Sequence, residues 1–183
     1  MNLPNSITLS RIILVIPLTY LLYQPDTYYQ WWALAIFIIA SLTDWLDGYL
    51  ARKLNQVTAL GKFLDPLTDK ILVMAPFLVL IERQQIPAWA VFLIIVRELV
   101  VAGWRINPEL NQQKEIKGAN IWGKLKTVTQ ILAIVFLIIP LSNFQPIGLI
   151  IFWCAGVMTI VSGATYLIPT SSSNSSQSAE STP

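Results

Sequence analysis

Four aspartates in two short stretches of the sequence are the residues best placed to do chemistry. Asp44 and Asp47 are three residues apart, so they share one face of a helix. Asp65 and Asp69 are four residues apart and share a second face. Four carboxylates close together in a low-dielectric layer cannot all stay ionised alone, so either some are protonated or cations hold them. Oxygen ligands suit Mg²⁺, Mn²⁺ or Ca²⁺, and two such ions about 4 Å apart serve displacement at phosphorus.

Small residues lie on the same helical faces as these carboxylates. Gly48 and Ala51 share the face of the first pair, and Gly61 shares the face of the second. They leave room for a substrate beside the backbone, although small residues at this spacing also serve helix packing, and the two roles are compatible. Arg52, in the same stretch, can pair bidentately with a phosphate. Any single aspartate could equally be a helix-end carboxylate in solvent, but four at these spacings favour a site.

The composition indicates which kind of fold must position these groups. Of 183 residues, 55% are hydrophobic and 12% are charged, about half the roughly 25% usual in soluble domains, and mean hydropathy is +0.60. A soluble domain of this length could not bury so much apolar surface. A net charge of +2 is too small to suggest nucleic-acid binding, and one cysteine excludes an internal disulfide framework. With no histidine, any metal site is built mainly from oxygen.

Hydropathy predicts an all-α integral membrane protein with six transmembrane helices. The expected spans are 7–23, 28–50, 60–81, 86–105, 127–145 and 146–169, of which the last two carry no charge. Lys and Arg concentrate on one side of this arrangement, which places both termini in the cytoplasm. The membrane domain is expected over 1–169, and a Ser-rich, disordered tail over 170–183.

The ionisable residues inside these spans all fall in the cytoplasmic half of the predicted bundle. Four of the six spans contribute, beginning with Arg11 in the first, and Lys124 and Lys126 open the fifth helix just before its span. Charges in lipid cost several kcal/mol unless they are paired, hydrated or metal-bound. Their convergence therefore predicts a polar, water-accessible cavity that opens to the cytoplasm. A transporter or channel would also use intramembrane carboxylates, but no polar path crosses the outer half.

The aspartates and their neighbours together resemble a family signature. They are similar, without departure, to the full signature of the CDP-alcohol phosphatidyltransferases: Asp44-x2-Asp47-Gly48-x2-Ala51-Arg52-x8-Gly61-x3-Asp65-x3-Asp69. The start of the chain resembles the amphipathic N-terminal segment of that family: Pro4-Asn5-x2-Thr8-x2-Arg11. The resemblance covers the chain except for the Ser-rich tail, and it implies a six-helix fold, commonly a homodimer.

The resemblance also implies a reaction and a set of site residues. The family transfers a phosphatidyl group from a CDP-linked lipid to an alcohol and releases CMP. By that similarity two divalent ions, Mg²⁺ or Mn²⁺, would be held by Asp44, Asp47, Asp65 and Asp69. Asp69 would be the general base for the acceptor hydroxyl, although ions beside it would weaken it as a base and leave a bridging role open. The CDP-lipid site would comprise Asn5, Thr8, Asp47, Gly48, Ala51, Arg52 and Gly61.

A second, basic cluster indicates the acceptor. Arg97 and Arg105 are eight residues apart, within roughly a quarter turn of each other on a helix. Lys124 and Lys126 are expected at the start of the fifth helix, where the helix dipole also favours anions. The cluster suits an acceptor that bears a phosphate, such as glycerol 3-phosphate, and it resembles the phosphatidylglycerophosphate synthase branch of the family. Positive-inside topology with binding to anionic lipid head groups is the alternative.

The sequence thus predicts a membrane-embedded phosphatidyltransferase that takes CDP-diacylglycerol and glycerol 3-phosphate to phosphatidylglycerol phosphate and CMP. Its expected partners are these substrates, membrane lipid and a second copy of the chain, with no nucleic acid. The signature does not separate other acceptors, which are phosphatidylglycerol (giving cardiolipin), serine, inositol and inositol phosphate. Glu98, beside Arg97, is expected to support structure or to position an arginine.

Overall fold

Six α-helices make up the secondary structure of the described chain. The computed structural model describes the backbone of residues 3–53, 59–106 and 117–167, and the side chains of residues 6–43, 46, 53, 61, 64, 67–103 and 125–163. The helices are α1 (Leu3–Tyr23), α2 (Thr27–Lys53), α3 (Ala59–Glu82), α4 (Ala88–Ile106), α5 (Lys117–Ile138) and α6 (Gln145–Leu167). No strand occurs within these ranges, so the all-α prediction is confirmed. The expected tail, 170–183, lies outside them.

The fifth helix differs most from its predicted bounds. α5 begins at Lys117, ten residues before the predicted start at 127, because hydropathy detects only the apolar part of a helix. It ends at Ile138 instead of 145. Residue 139 precedes Pro140, and the residue before a proline is disfavoured in the α conformation. Lys124 and Lys126 therefore lie two turns or more inside α5, and the helix-dipole argument for them is wrong.

α1 combines the predicted amphipathic segment and the first span in one continuous helix. Its buried residues are Thr8, Arg11, Leu18 and Leu22, which recur at helical spacing on one face. α1 packs against α2 and α3, so this face looks into the bundle. Because the face is polar near the start of the helix and apolar near its end, α1 brings a polar group to one end of the bundle only.

The apolar core lies between the helices away from the polar end. α5 and α6 form the most extensive helix pair, and α4 packs mainly against α6. Phe77 of α3 meets Phe152 of α6 edge to face, with ring centroids 5.7 Å apart. Both side chains are fully buried, so α3 is held to the α5–α6 pair through this aromatic contact.

Gly148 of α6 lies very close to α5. A Cβ atom built there would lie 2.9 Å from the backbone nitrogen of Leu137 and 2.9 Å from its Cγ. We expect Gly148→Ala to destabilise the protein by about 1–3 kcal/mol, because helix backbones cannot yield as a flexible side chain does. Thermal unfolding in detergent checks this. Gly156→Ala on the same helix is the control, since nothing lies within 4 Å of its added Cβ. Equal unfolding temperatures for the two variants would contradict the packing argument.

Two hydrogen bonds join the ends of α1 and α3 at the end of the bundle opposite the polar residues. The Tyr23 hydroxyl donates to Glu82 Oε2 at 2.5 Å. Arg83 Nη2 donates to the backbone carbonyl of Gln24 at 2.9 Å. The Gln24 carbonyl thus gives the Arg83 guanidinium a polar partner at this end of the bundle.

Two of the described helices are long and apolar enough to cross a membrane. They contain the stretches Ser6–Tyr23 and Gln145–Gly163, and Leu125–Ile138 is a shorter apolar helix. The second stretch overlaps the uncharged span predicted at 146–169 from residue 146 onward, whereas the span predicted at 127–145 is cut short by the end of α5. Many large apolar side chains face outward, including Ile16 at 70% exposure and Ile150 at 65%. A surface of this kind suits contact with lipid acyl chains.

Candidate active site

Arg11 and Asp69 form an ion pair between α1 and α3. Arg11 Nη1 donates to Asp69 Oδ1 at 2.8 Å across 58 residues of sequence. The Arg11 side chain is fully buried, whereas that of Asp69 is 42% exposed. The arginine therefore anchors a carboxylate that stays accessible to a ligand. Sequence reasoning placed Arg11 in the polar layer but gave it no role, although its three-residue spacing from Thr8 pointed to the same inward face.

Two further residues of the predicted CDP-lipid site lie near this end of the bundle. Thr8 is 1% exposed, one turn before Arg11 on the inner face of α1. Gly61 is buried in the first turn of α3, two turns before Asp69 on the same helical face. α1 packs extensively on α3, so the structure brings Thr8, Arg11 and Asp69 to one interhelical surface.

The other members of the predicted carboxylate site can be placed only by their backbone. Asp44 and Asp47 lie toward the end of α2, and Asp65 lies near the start of α3. The connector 54–58 can span at most about 20 Å, so the two helix ends belong to the same end of the bundle. The predicted residues whose side chains fall outside the described set are Asn5, Asp44, Asp47, Gly48, Ala51, Arg52, Asp65, Arg105 and Lys124.

The donor set fits a hard divalent ion. All four predicted ligands are carboxylates, and the one whose side chain is described, Asp69, is fixed by Arg11 yet accessible. Among the described side chains no group of three or more candidate ligands forms, and the remaining three aspartates are not among those side chains.

A second polar cluster joins α4 and α5. The Glu98 carboxylate pairs through Oε1 with Lys126 Nζ and lies 3.5 Å from Arg97 Nη1. All three side chains are less than one fifth exposed, with Lys126 at 3%. The expectation that Glu98 supports structure or positions an arginine agrees with this geometry. Lys126 of α5 is thus paired with a carboxylate of α4. Its position does not depend on the dipole at the N-terminus of α5.

A third cation, Lys70 of α3, lies near this cluster. Both Arg97 and Lys70 lie close enough to Lys126 to act on it electrostatically. Lys126 therefore has two other cations near it, one on α3 and one on α4, and Glu98 pairs with Lys126 and Arg97. Cations gathered from separate helices attract anions, so this arrangement is suited to bind a phosphate. Sequence reasoning missed Lys70. Its place directly after Asp69 was the available signal, because it links the two polar clusters.

Comparison with known proteins decides the family. The model of the CDP-alcohol phosphatidyltransferase family matches residues 1–161. The chain belongs to this family. The resemblance drawn from the aspartate signature is confirmed, and the matched region contains every predicted site residue. CDP-alcohol phosphatidyltransferases are membrane-bound and generally depend on divalent metal ions, in keeping with the apolar surface and the carboxylate donors described above.

Three CDP-alcohol phosphatidyltransferases illustrate the similarity. A protein of Bacillus subtilis is 41% identical over 184 residues, which covers 90% of this chain and 93% of the relative. Proteins of Haemophilus influenzae and Rickettsia typhi are 37% and 34% identical, and each match covers at least nine tenths of both chains. All three relatives are named CDP-diacylglycerol–glycerol-3-phosphate 3-phosphatidyltransferase. Each match therefore covers about nine tenths of this chain.

Proposed function

We propose that this chain transfers the phosphatidyl group of CDP-diacylglycerol to glycerol 3-phosphate, giving phosphatidylglycerol phosphate and CMP in phospholipid biosynthesis. The activity in the relatives' names supports the proposal. The observation that carries the choice of acceptor is the group of cations Lys70, Arg97 and Lys126, two of which pair with Glu98. An acceptor with a phosphate would be attracted to these cations by its negative charge, whereas serine or inositol, with no net charge, would not.

The acceptor phosphate binds to Arg97, Arg105, Lys124 and Lys126 in this proposal, and Lys70 joins them. Arg97 contributes a planar guanidinium that can hold two phosphate oxygens. Glu98 keeps Lys126 and Arg97 together before the acceptor arrives, so the pocket does not depend on the ligand for its shape. Because Lys70 adjoins Asp69 on α3, a phosphate held in this cluster leaves the acceptor's hydroxyl within the same polar layer as the carboxylate.

Two divalent ions, Mg²⁺ or Mn²⁺, are held in the proposal by Asp44, Asp47, Asp65 and Asp69. When bound, they neutralise the diphosphate and stabilise charge on the attacking and leaving oxygens. Arg11 contributes by fixing the direction of Asp69, since its own side chain is fully enclosed. A carboxylate held by an arginine is a better ligand than base, so the pair favours the ligand role of Asp69. As general base it would need to give up part of that pairing.

The proposal also assigns the residues that bind the CDP group of the donor. They are Asn5, Thr8, Asp47, Gly48, Ala51, Arg52 and Gly61. Thr8 and Gly61 are both buried on helices that pack against each other, which supports a place for them on the inward faces of α1 and α3. The acceptor's hydroxyl oxygen forms a bond to the lipid-linked phosphorus, and the phosphorus–oxygen bond to CMP breaks. The hydroxyl proton passes to Asp69 or to water. The acyl chains stay in lipid throughout, which suits a site at one end of an apolar bundle.

The same proposal includes the arrangement in the membrane. All six helices span the bilayer, both termini and the active site face the cytoplasm, and the chain acts as a homodimer. The support is the bias of Lys and Arg to the polar end of the bundle and the outward-facing apolar side chains. A cytoplasmic site gives water-soluble glycerol 3-phosphate direct access.

CMP release by the purified protein tests the activity. With CDP-diacylglycerol and Mg²⁺ or Mn²⁺, we expect turnover with glycerol 3-phosphate and none with serine, inositol, inositol phosphate or phosphatidylglycerol. Removal of divalent ions with a chelator should abolish it. Turnover with a different alcohol would overturn the acceptor assignment and keep the metal site. Absence of CMP release with every acceptor would overturn the proposed reaction and would favour the transporter alternative.

A further inference from the structure

The side chain of Arg97 crosses α6 at a glycine that belongs to neither polar cluster. Gly163 lies near the end of α6 and is half-buried. A Cβ atom built on it would lie 3.3 Å from Arg97 Cγ and 3.9 Å from Arg97 Nε. At 3.3 Å the side chain of Arg97 must move by a few tenths of an ångström to admit a methyl group. The absence of a side chain at 163 thus determines the path of the Arg97 stem.

Arg97 has little freedom to absorb such a displacement. Its side chain is only 13% exposed, and Nη1 lies 3.5 Å from Glu98 Oε1. Glu98 is itself held by Lys126 of α5. The aliphatic part of the Arg97 side chain is confined between α6 on one side and this carboxylate on the other. A shift at Cγ therefore moves the guanidinium as well. The guanidinium moves farther than Cγ because it is farther from the Arg97 backbone.

We infer that Gly163 is a positioning residue for the acceptor pocket: it lets the Arg97 guanidinium reach the place where it meets the acceptor phosphate. This inference rests on the proposed function, in which Arg97 binds that phosphate. Gly163 touches neither substrate, so its effect passes entirely through Arg97. A methyl group at 163 would leave the charges of the cluster unchanged and alter only where one of them sits.

The chain offers a closely matched control for this inference. Gly156 lies two turns earlier on nearly the same face of α6 and is also half-buried. A Cβ atom built there has nothing within 4 Å. Glycine-to-alanine substitution in the two places changes helix propensity equally, so any difference between the variants comes from the contact with Arg97.

The experiment measures kcat and KM for glycerol 3-phosphate in CMP release by the full-length protein with CDP-diacylglycerol and Mg²⁺. For Gly163→Ala we expect KM for glycerol 3-phosphate to rise about threefold to tenfold, with little change in kcat or in KM for CDP-diacylglycerol. Gly156→Ala should match the unsubstituted protein. A merely structural role of Gly163 would lower the amount of active protein and leave KM for the acceptor unchanged.

The Arg97→Ala background separates this inference from the proposed function. There, Gly163→Ala should cause no further rise in KM, because no stem remains to displace. If Gly163→Ala alone fails to accumulate, adding Arg97→Ala must restore accumulation. Unchanged KM in Gly163→Ala, an equal rise in Gly156→Ala, or a persisting effect without Arg97 overturns the role of Gly163. An unchanged KM in Arg97→Ala alone overturns the acceptor pocket itself.

Discussion

Asp69→Asn is expected to reduce CMP release by about 10³-fold, and Asp44→Asn to do the same. Ion binding by carboxylates stabilises the transition state by several kcal/mol, and each 1.36 kcal/mol corresponds to a factor of ten in rate. Asparagine keeps an oxygen that accepts the hydrogen bond from Arg11 Nη1, so the α1–α3 contact survives in Asp69→Asn while the negative charge is lost. The loss should therefore be in kcat, with the protein still inserted in the membrane.

Asp26→Asn provides the control for this comparison. Asp26 is exposed in the connector between α1 and α2, at the opposite end of the bundle from Asp69. It should retain normal CMP release and normal abundance in membranes. Raising the Mn²⁺ or Mg²⁺ concentration should recover part of the activity of the site variants if they lose ion affinity. Full activity in both Asp44→Asn and Asp69→Asn would remove the basis of the metal-site assignment.

Arg11→Met is expected to lower kcat by about 10²-fold, the second largest effect. Methionine fills a similar volume but cannot hold the Asp69 carboxylate, which is 42% exposed and would turn toward water. Misplacement of a reacting or ligand group by about 1 Å is enough for a loss of this size. Arg11→Lys keeps the positive charge on a side chain of different length and geometry. Its kcat should lie between those of the unsubstituted protein and Arg11→Met. Rates of CMP release at saturating substrates measure the effect.

Two comparisons show whether Arg11 acts through Asp69. In the Asp69→Asn background, Arg11→Met should cost little more, because residues that act as a unit are strongly non-additive. Arg83→Met removes a partly buried arginine that bonds the Gln24 carbonyl at the far end of the bundle. It should lower thermal stability without changing kcat. Wild-type rates in Arg11→Met, or losses that multiply in the double variant, would show that Arg11 does not position Asp69.

The sequence alone was enough for the helical class of the fold and for the family. Apolar runs of about 20 residues predicted six helices, and the described residues contain six, because burial of backbone hydrogen bonds in an apolar surrounding leaves few other structures. The spacing of Asp44, Asp47, Asp65 and Asp69 placed them on helical faces and indicated the family that the comparisons confirmed. The sequence-based prediction of helix bounds failed most clearly for α5, because hydropathy missed the polar first turns before Leu125.

Only the tertiary structure decided which charged groups meet. Arg11 and Asp69 are 58 residues apart, and Glu98 and Lys126 are 28 apart, so no helical period relates them. Their pairing depends on how each helix is rotated about its axis and how closely its neighbours approach. The same holds for Gly163, which reads as one small residue among many until α6 is packed against Arg97. Periodicity selects a face of a helix, whereas the packing of side chains between helices selects its partner.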